Sequence, residues 1–478
     1  MKAQNKLKQG ALILLAATAF MVNSCKKSFL DLKPYDSVPS DVAITNASDM
    51  EAAMQGVYGN LTSANLYGRT IPLFGDLVAD NVYISSINSN RYLDFFQINY
   101  TITNGNAQGI WQSAYSTILR ANNVINSSIA STPQVDQLRG EALAVRALMY
   151  FELVKFFAKP YTVDPSALGV PLILKYDPYA KPTRNTVQEV YTQIEKDLMD
   201  AIGFMTEDKS SGYFTKYAAK ALLARMYQFK GDWSKALTTA EDVINNSGYT
   251  LLELDEVESF WQNNTARDDK KEVLFEVVFD ANNNIGNSSL PYFFDQNGYG
   301  DALATQSLYN LYSNNDVRKA AWFIVGSATR GGSAKVINKY PNSGSVDKDE
   351  IKVLRMSEIY LIAAEAAYQT NNQPLALTYL NDVATRRVAG FIGYTSSGAQ
   401  LLSDILLERR KELVFEGHRY WDFARYNTDV VRVNLSGNYP GNVPLVLAAT
   451  NFRRILPIPQ AELDANPNIR SQENPGYQ

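Results

Sequence analysis

The stretch KYAAKALLARMYQFKGDWSKALTTAEDVINN, residues 216–246, decides the fold class of this chain. Small and apolar residues recur in it at intervals of three and four positions, the spacing of an amphipathic helix. The pattern predicts two consecutive helices, over residues 216–230 and 233–246.

A second stretch, SEIYLIAAEAAYQTNNQPLALTYLNDVATRRVA at residues 357–389, looks like a copy of the same unit. When Ala224 is aligned with Ala364, Ala236 falls on Ala376, twelve positions later in both copies. A small residue in each of two helices at this separation is the tetratricopeptide spacing, because the helices must cross closely there.

Other helical segments can form similar pairs. A capping box, Thr186 with Glu189, begins one of them. The predicted pairs are 48–61 with 107–128, 137–157 with 186–204, 216–230 with 233–246, and 353–370 with 374–389. We therefore expect a mostly α fold, a tetratricopeptide-like helical solenoid of about four helix pairs with long irregular insertions and a few short strands. Unrelated helical hairpins are the alternative.

The segment ERRKELVFEGHRYWDFARYN, residues 408–427, mixes charged and large apolar residues. Buried charges must be matched, since an unpaired one costs several kcal/mol. We expect a helix that ends near Gly417, followed by a segment of buried aromatic rings and paired charges. The candidate partners are Glu358, Glu365, Arg355 and Arg386.

The N-terminal segment predicts export. Three early lysines precede an apolar run, Ala11 to Val22, which is too short to span a bilayer and fits a signal peptide over residues 1–24. Val22-Asn23-Ser24-Cys25 resembles the lipoprotein cleavage site, so Cys25 is the expected lipidated residue and the membrane anchor. A secreted protein without lipid is the alternative. Residues 25–46 read as an extended tether, and its Phe29, Leu30 and Leu32 are expected to dock on the globule.

Composition excludes several classes of function. The 478 residues carry a net charge of -4, which argues against nucleic acid as a partner. A single histidine and a single cysteine leave almost nothing for a transition-metal site, and we expect no metal and no cofactor. Twenty-nine tyrosines and many asparagines favour surfaces that stack on neutral ligands and hydrogen-bond to them.

Catalytic motifs are absent from the sequence, which has no G-x-S-x-G, H-E-x-x-H or phosphate-binding glycine loop. Glu358 and Glu365 could be an acid and a base in a groove, or buried partners of Arg386, Arg409 or Arg410. His418 could be a general base, or a satisfied histidine at a helix C-terminus. We favour the structural interpretation for all three and expect no enzyme activity.

Six segments together resemble the SusD/RagB family of nutrient-binding lipoproteins. They are FLDLKP (29–34), IWQSAYSTILRANNVI (110–125), RGEALAVRALMYFELVKFFAKPY (139–161), RMSEIYLIAAEA (355–366), ERRKELVFEGHRYWDFAR (408–425) and LPIPQAELDANPNIRSQENPGY (456–477). The resemblance implies one SusD-like domain over residues 47–478. It also implies a role as the capture subunit of a SusC-like TonB-dependent transporter in the outer membrane.

The resemblance implies an oligosaccharide as the usual cargo, with peptides taken by some members. A purely protein-binding scaffold is a further alternative. Lys26, Lys27 and Ser28 follow Cys25 without an acidic run, so display on the cell exterior is inferred from the family alone.

Two insertions, near residues 62–106 and 280–325, carry the mixture of flat aromatic and amide side chains that sugar binding needs. The candidate ligand-binding residues are Tyr67, Arg69, Asp80, Asn81, Arg91, Tyr92, Phe95, Tyr292, Phe294 and Trp322. For each of them, packing within a loop is the alternative.

Overall fold

The computed structural model describes residues 44–262, 271–280, 283–343, 345, 349–433 and 443–477. The predicted signal peptide, the predicted lipidation site Cys25 and all but the last three residues of the predicted tether lie outside these ranges.

Helices dominate the described residues. They are α1 (Ala47–Leu61), α2 (Thr70–Leu77), α3 (Leu93–Gln97), α4 (Gly105–Ile125), α5 (Pro133–Phe157), α6 (Val187–Phe204), α7 (Lys216–Lys230), α8 (Trp233–Asn246), α9 (Val257–Gln262), α10 (Leu290–Phe294), α11 (Gln306–Tyr309), α12 (Val317–Trp322), α13 (Met356–Gln369), α14 (Gln373–Ala384), α15 (Gly398–Glu412), α16 (Arg419–Arg425) and α17 (Gln460–Ala465).

The long helices stack in sequence. Helix α1 packs on α4, α5 on α6, α7 on α8 and α13 on α14, while α8 also packs against α13. The four alanines that define the repeat, Ala224, Ala236, Ala364 and Ala376, are fully buried. Their small side chains allow the close helix crossings that the repeat requires. The predicted mostly α, tetratricopeptide-like architecture is confirmed.

Short strands lie between the helices of the described residues. They are β1 (Val82–Ile84), β2 (Val273–Val277), β3 (Ala302–Ala304), β4 (Phe323–Ser327), β5 (Gly331–Ile337), β6 (Ile351–Arg355), β7 (Val430–Val431) and β8 (Val446–Leu447). The largest sheet has the order β1-β3-β5-β4 and is antiparallel. Because Val82 pairs with Ala304 and Ile84 with Ala302, this sheet joins the first insertion to the second.

A buried ionic network, centred on Glu412, joins α15 to the rest of the molecule. The Glu412 carboxylate accepts hydrogen bonds from Arg318 (2.9 Å), Arg355 (3.0 Å) and Arg387 (3.0 Å). All four side chains are at most 2% exposed. The predicted partner Arg386 is wrong, because Arg386 pairs with Glu253 nearer the surface and its neighbour Arg387 enters the network.

Helix α15 ends at Glu412 and not near Gly417, so the predicted end was wrong by five residues. The Lys339 ammonium donates to the carbonyls of Glu412 (3.1 Å) and Val414 (3.0 Å), and Arg355 also donates to the Glu412 carbonyl (3.0 Å). These two cations satisfy carbonyls that a terminating helix leaves without partners.

Gly417, which has a φ of +83°, lies against α2. A Cβ at Gly417 would come within 2.7 Å of the Pro72 backbone, and one at Gly75 within 1.9 Å of the Gly417 carbonyl oxygen. Only glycine fits both positions, because no methyl group can occupy these spaces. The crossing fixes the first insertion against the segment that follows α15.

None of the described helices is long and apolar enough to cross a membrane.

Candidate functional site

An open groove of ≈ 500 Å³ lies along the first insertion. Its lining is predominantly polar and consists of Arg69, Asn90, Arg91, Tyr92, Leu93, Asp94, Gln97, Asn99 and Asn106. Carboxamide side chains recur in this set, and each offers both hydrogen-bond donors and an acceptor.

Residues 90–98, which supply six of the nine residues that line the groove, have an unusual backbone conformation. Asn90, Tyr92 and Ile98 all have positive φ, between +55° and +63°. Each such residue other than asparagine costs of order 1 kcal/mol, which packing must offset. The Tyr92 hydroxyl accepts a hydrogen bond from Arg69 Nε at 2.9 Å and lies 2.7 Å from Thr70 Oγ1, so the side chain of Tyr92 is held in place.

The second insertion fixes the groove loop through a buried aspartate. Asp301 Oδ1 accepts a hydrogen bond from the Ser89 backbone N–H at 2.9 Å, and Asp301 Oδ2 accepts one from the Ser89 hydroxyl. The Asp301 carbonyl also accepts one from Ser85 N at 2.9 Å. Because Asp301 is fully buried, these bonds are shielded from water and hold the loop firmly.

An arginine–tyrosine pair extends the groove toward the second insertion. The guanidinium of Arg91 lies 3.8 Å from the centre of the Tyr299 ring, and Tyr292 meets Tyr299 edge to face at 5.0 Å. A cation held over an aromatic ring is attracted by its electron-rich face. All three side chains are partly exposed. They therefore add flat surface beside the carboxamides.

This arrangement suits recognition of a neutral polar oligomer better than catalysis. Flat aromatic faces match the C–H faces of sugar rings, and carboxamides match hydroxyl groups that both donate and accept. Among the residues that line the groove, Asp94 alone carries a carboxylate, whereas glycoside hydrolysis by the usual route needs two. Within the described ranges no cluster of His, Cys, Asp or Glu could hold a metal ion.

Seven of the ten residues predicted from sequence to bind ligand are buried: Tyr67, Asp80, Asn81, Tyr92, Phe95, Phe294 and Trp322. Tyr92 still contributes to the groove lining. For the other six, the structure shows side chains enclosed by protein. Trp322, for example, is fully buried, with Lys339 Nζ 3.7 Å from its ring centre.

The polar members of the buried set have structural partners. The Tyr67 hydroxyl donates to Glu152 at 3.0 Å. Asp80 pairs with Arg410 (3.1 Å) and Arg419 (2.8 Å). Arg410 also donates to the side-chain oxygen of Asn81 at 2.8 Å. Asp80 and Asn81 directly precede β1, so these bonds attach the groove insertion to the segment at 408–427.

Three predicted residues are partly exposed and lie together: Arg69 and Arg91 line the groove, and Tyr292 is beside it. Sequence reasoning missed Asn99, Asn106 and Asp301. The many asparagines at 99–106 were a signal, but the neighbouring Asn104 is a helix cap of α4, and sequence alone does not separate caps from ligands.

Glu358 and Glu365 are buried and His418 is 13% exposed, and none of these three candidate acids and base lines the groove. Glu365 pairs with Arg425, and Glu358 pairs with Arg225 and lies 3.8 Å from Arg409. His418 precedes α16 and is not at a helix C-terminus as expected. Burial, together with neighbouring cations, lowers the pKa of His418 well below its usual value. The histidine is therefore neutral in the folded protein.

Two family models match the chain. One, described as starch-binding and associating with the outer membrane, matches residues 28–228, and the other, described as the SusD family, matches residues 324–477. The chain is similar to SusD-like protein P2 of Formosa agariphila, with 26% identity over 94% of this chain and 96% of the relative.

Solved structures share the fold. A crystal structure from Bacteroides vulgatus superposes with a TM-score of 0.82 at 33% identity, covering 91% of this chain and all of the other. A laminarin-binding SusD-like protein superposes with a TM-score of 0.70 at 24% identity, covering 91% of this chain and 100% of the other.

Proposed function

Because this chain belongs to the SusD/RagB family, we propose that it is a cell-surface lipoprotein that captures an oligosaccharide in the groove at Arg91. It then delivers this nutrient to a SusC-like TonB-dependent transporter. The observation that carries the proposal is the groove itself, where the stacked Arg91–Tyr299 pair stands beside exposed carboxamides.

The groove is open to solvent, which suits a ligand that is larger than the groove itself, such as a chain of sugar units. Asn90 and Asn99 are exposed and can each bind a pair of hydroxyls. Laminarin, a neutral glucan, is the ligand of one structural neighbour and is the first polysaccharide to test here.

Attachment to the outer membrane follows in this proposal from lipidation of Cys25. The matching family model is described as associating with the outer membrane. The protein has no catalytic role in the proposal, since Glu358, Glu365 and His418 all serve in buried ion pairs or beside them.

Calorimetric titration with laminarin oligosaccharides, starch oligosaccharides and peptides tests the binding step. We expect saturable binding of one saccharide class, and Arg91→Ala should weaken it at least about tenfold, or roughly 1.4 kcal/mol. Arg120→Ala is the matched control, because Arg120 is an exposed arginine on α4 and should leave affinity unchanged.

If only peptides bind, the nutrient that this protein captures is a peptide and not an oligosaccharide. If no tested ligand binds but a transporter still copurifies, the result would favour the protein-binding scaffold.

The delivery step is tested by purifying the tagged lipoprotein from outer membranes of the native bacterium, where a TonB-dependent receptor should copurify. Hydrolysis of the bound saccharide by the purified protein would contradict the non-catalytic role.

A further inference from the structure

The tyrosines and carboxamides of the groove match sugar rings and hydroxyls, but they do not account for its charge. Two guanidiniums, those of Arg69 and Arg91, and one carboxylate, that of Asp94, belong to the lining. The protein already engages both Asp94 oxygens: Oδ1 accepts a hydrogen bond from the Phe95 backbone N–H at 2.9 Å, and Oδ2 accepts one from the Asn104 amide. Neither arginine forms an ion pair with a carboxylate of the described residues. The lining therefore carries more positive than negative charge.

Arg91 has the donors to bind an anion. A guanidinium carries five N–H groups in one plane, and none of those of Arg91 donates a hydrogen bond within the described part of the chain. The Tyr299 ring, whose centre is 3.8 Å away, attracts the cation without satisfying these donors. Arg69 differs, because its Nε donates to the Tyr92 hydroxyl at 2.9 Å. Arg91 is therefore the guanidinium of the groove that is available to a ligand.

The fold holds Arg91 in position from two directions. The Tyr299 carbonyl accepts a hydrogen bond from Arg330 Nη2 at 3.0 Å, which fixes the backbone that carries the stacking ring. Two residues before Arg91, the Ser89 backbone N–H donates to the buried Asp301 at 2.9 Å. A guanidinium that is already positioned loses less side-chain entropy when it binds a ligand.

A planar guanidinium with available donors matches an anionic group better than a hydroxyl. A carboxylate or a sulfate can accept two parallel N–H bonds from one arginine, and such charge-assisted bonds are roughly twice as strong as neutral ones. A sugar hydroxyl offers a single oxygen and no charge. Because Arg91 is partly exposed, salt should weaken its attraction for an anion.

We propose that the oligosaccharide captured in the groove is acidic, and that Arg91 binds an anionic group on it, the carboxylate of a uronic acid or a sulfate ester. The uncharged rings and hydroxyls of the same saccharide meet the tyrosines and carboxamides. Arg91 thereby selects acidic over neutral saccharides. This inference rests on the proposed function, since it names the substrate class of the same groove.

Ligand pairs that share one backbone test the proposal. Calorimetric titration compares alginate and pectin oligouronates with their methyl-esterified forms, and carrageenan oligosaccharides with their desulfated forms. Laminarin oligosaccharides are the neutral reference. We expect an acidic saccharide to bind most tightly, at least about tenfold more tightly than its uncharged counterpart. The pair that shows this difference identifies the anionic group as a carboxylate or a sulfate.

Two kinds of failure are distinguishable. Tightest binding of laminarin, or equal affinity for an acidic saccharide and its uncharged counterpart, would overturn this inference and leave oligosaccharide capture standing. Binding of peptides alone, or of no ligand, would overturn the proposed oligosaccharide capture together with this inference.

Arg91→Gln in the full chain separates recognition of the anion from a structural role. Removing the anionic group from the tightest ligand should weaken binding to wild type at least about tenfold, but binding to the variant by less than about twofold. Arg91→Lys keeps the charge and loses the planar fork, so it should retain only part of the preference. Arg120→Gln, at an exposed arginine on α4, is the matched control and should keep the full preference. A full preference in Arg91→Gln would contradict the proposal.

Discussion

Asp76 carries a carboxyl group buried where the first insertion meets the segment after α15. Its Oδ1 accepts a hydrogen bond from the Asn81 amide at 3.0 Å, and its Oδ2 accepts one from Gly417 N at 3.1 Å. Burial nevertheless dominates and raises the pKa of Asp76 to about 6, with Glu416 adding to the rise and Lys339 opposing it. A raised carboxyl pKa means that the folded state holds the proton more tightly than the unfolded state.

Asp76→Asn should therefore change how stability depends on pH. The contribution of the Asp76 carboxyl to the free energy of unfolding is fully present below pH 4 and is lost as pH rises through about 6. At 1.36 kcal/mol per pKa unit, the change is roughly 3 kcal/mol. The free energy of unfolding of wild type minus that of the variant should fall by about this amount between pH 4 and pH 7. Urea unfolding at four pH values measures it, with Asp255→Asn, an exposed carboxyl, as control. A difference independent of pH would contradict the raised pKa.

For single residues, the sequence predicts which side-chain chemistry the insertions contain, but not whether a given side chain faces the core or the solvent. Phe95 and Trp322 have the right chemistry for sugar stacking, yet both rings are in the core. An irregular loop has no periodicity from which to infer a buried face. Arg91 was predicted because of its residue type, whereas Asp301 has no local signal, since its partner Ser89 is 212 residues away.

Among the elements, the crossing of α2 with the segment after α15 leaves no space for an added side chain at Gly75 or Gly417. Gly75→Ala places a methyl group within 1.9 Å of the Gly417 carbonyl oxygen, so one backbone must move. We expect a loss of about 2–4 kcal/mol, in the range of overpacked sites.

Gly203→Ala is the matched control for this crossing. Gly203 lies in helix α6, and its added methyl group meets nothing within 4 Å. It should be neutral or stabilising by up to about 1 kcal/mol, because alanine favours a helix more than glycine does. Thermal unfolding compares the two variants, and equal Tm values would show that the crossing can relax.

The ionic network gives a second prediction for this region. Glu412→Ala removes the carboxylate that three buried arginines share and should cost about 3–5 kcal/mol. Arg419→Ala breaks a more exposed pair with Asp80 and should cost less, about 1–2 kcal/mol. Both variants should keep the ligand specificity of wild type. Glu51→Ala, at an exposed site on α1, is the control, and lost binding in a fully folded variant would contradict the structural role.

Regular helices were predictable because their signals are local. The capping box at Thr186 fixes the start of α6 at Val187, and the spacing at 216–246 gives α7 and α8. The end of α15 was not predictable in the same way. Its carbonyls are satisfied by Lys339 and Arg355, which are distant in the chain, so no local residue marks the boundary.

At the scale of the whole molecule, we propose that solenoid and insertions form one cooperative domain. The network around Glu412 ties α15 to Arg355 of β6, Glu272 before β2 and Arg318 of α12. If any one of these segments unfolds, the buried charged side chains of the other segments lose their partners. The free energy of opening one part alone should therefore approach that of global unfolding.

A single unfolding transition is the expected result. Far-UV circular dichroism reports mainly the solenoid helices. Tryptophan fluorescence reports five side chains, of which Trp261 and Trp322 lie outside the helix pairs. Both should give the same urea midpoint. Saccharide at one hundred times its Kd should add about 2.7 kcal/mol to both transitions. Separate midpoints would show that the insertions unfold independently.

The bond between Ser89 and Asp301 also constrains when the groove can form. Residues 212 positions apart must meet before the loop at Asn90 is held in place, and β1 has no strand partner until β3 has been made. Contacts between residues so far apart in the chain form late. The helices between the two residues form first and reduce the entropic cost of closing the loop. We therefore expect the first helices of the solenoid to form well before the loop at Asn90 is held in place. The proposed binding groove would then be completed only near the end of folding.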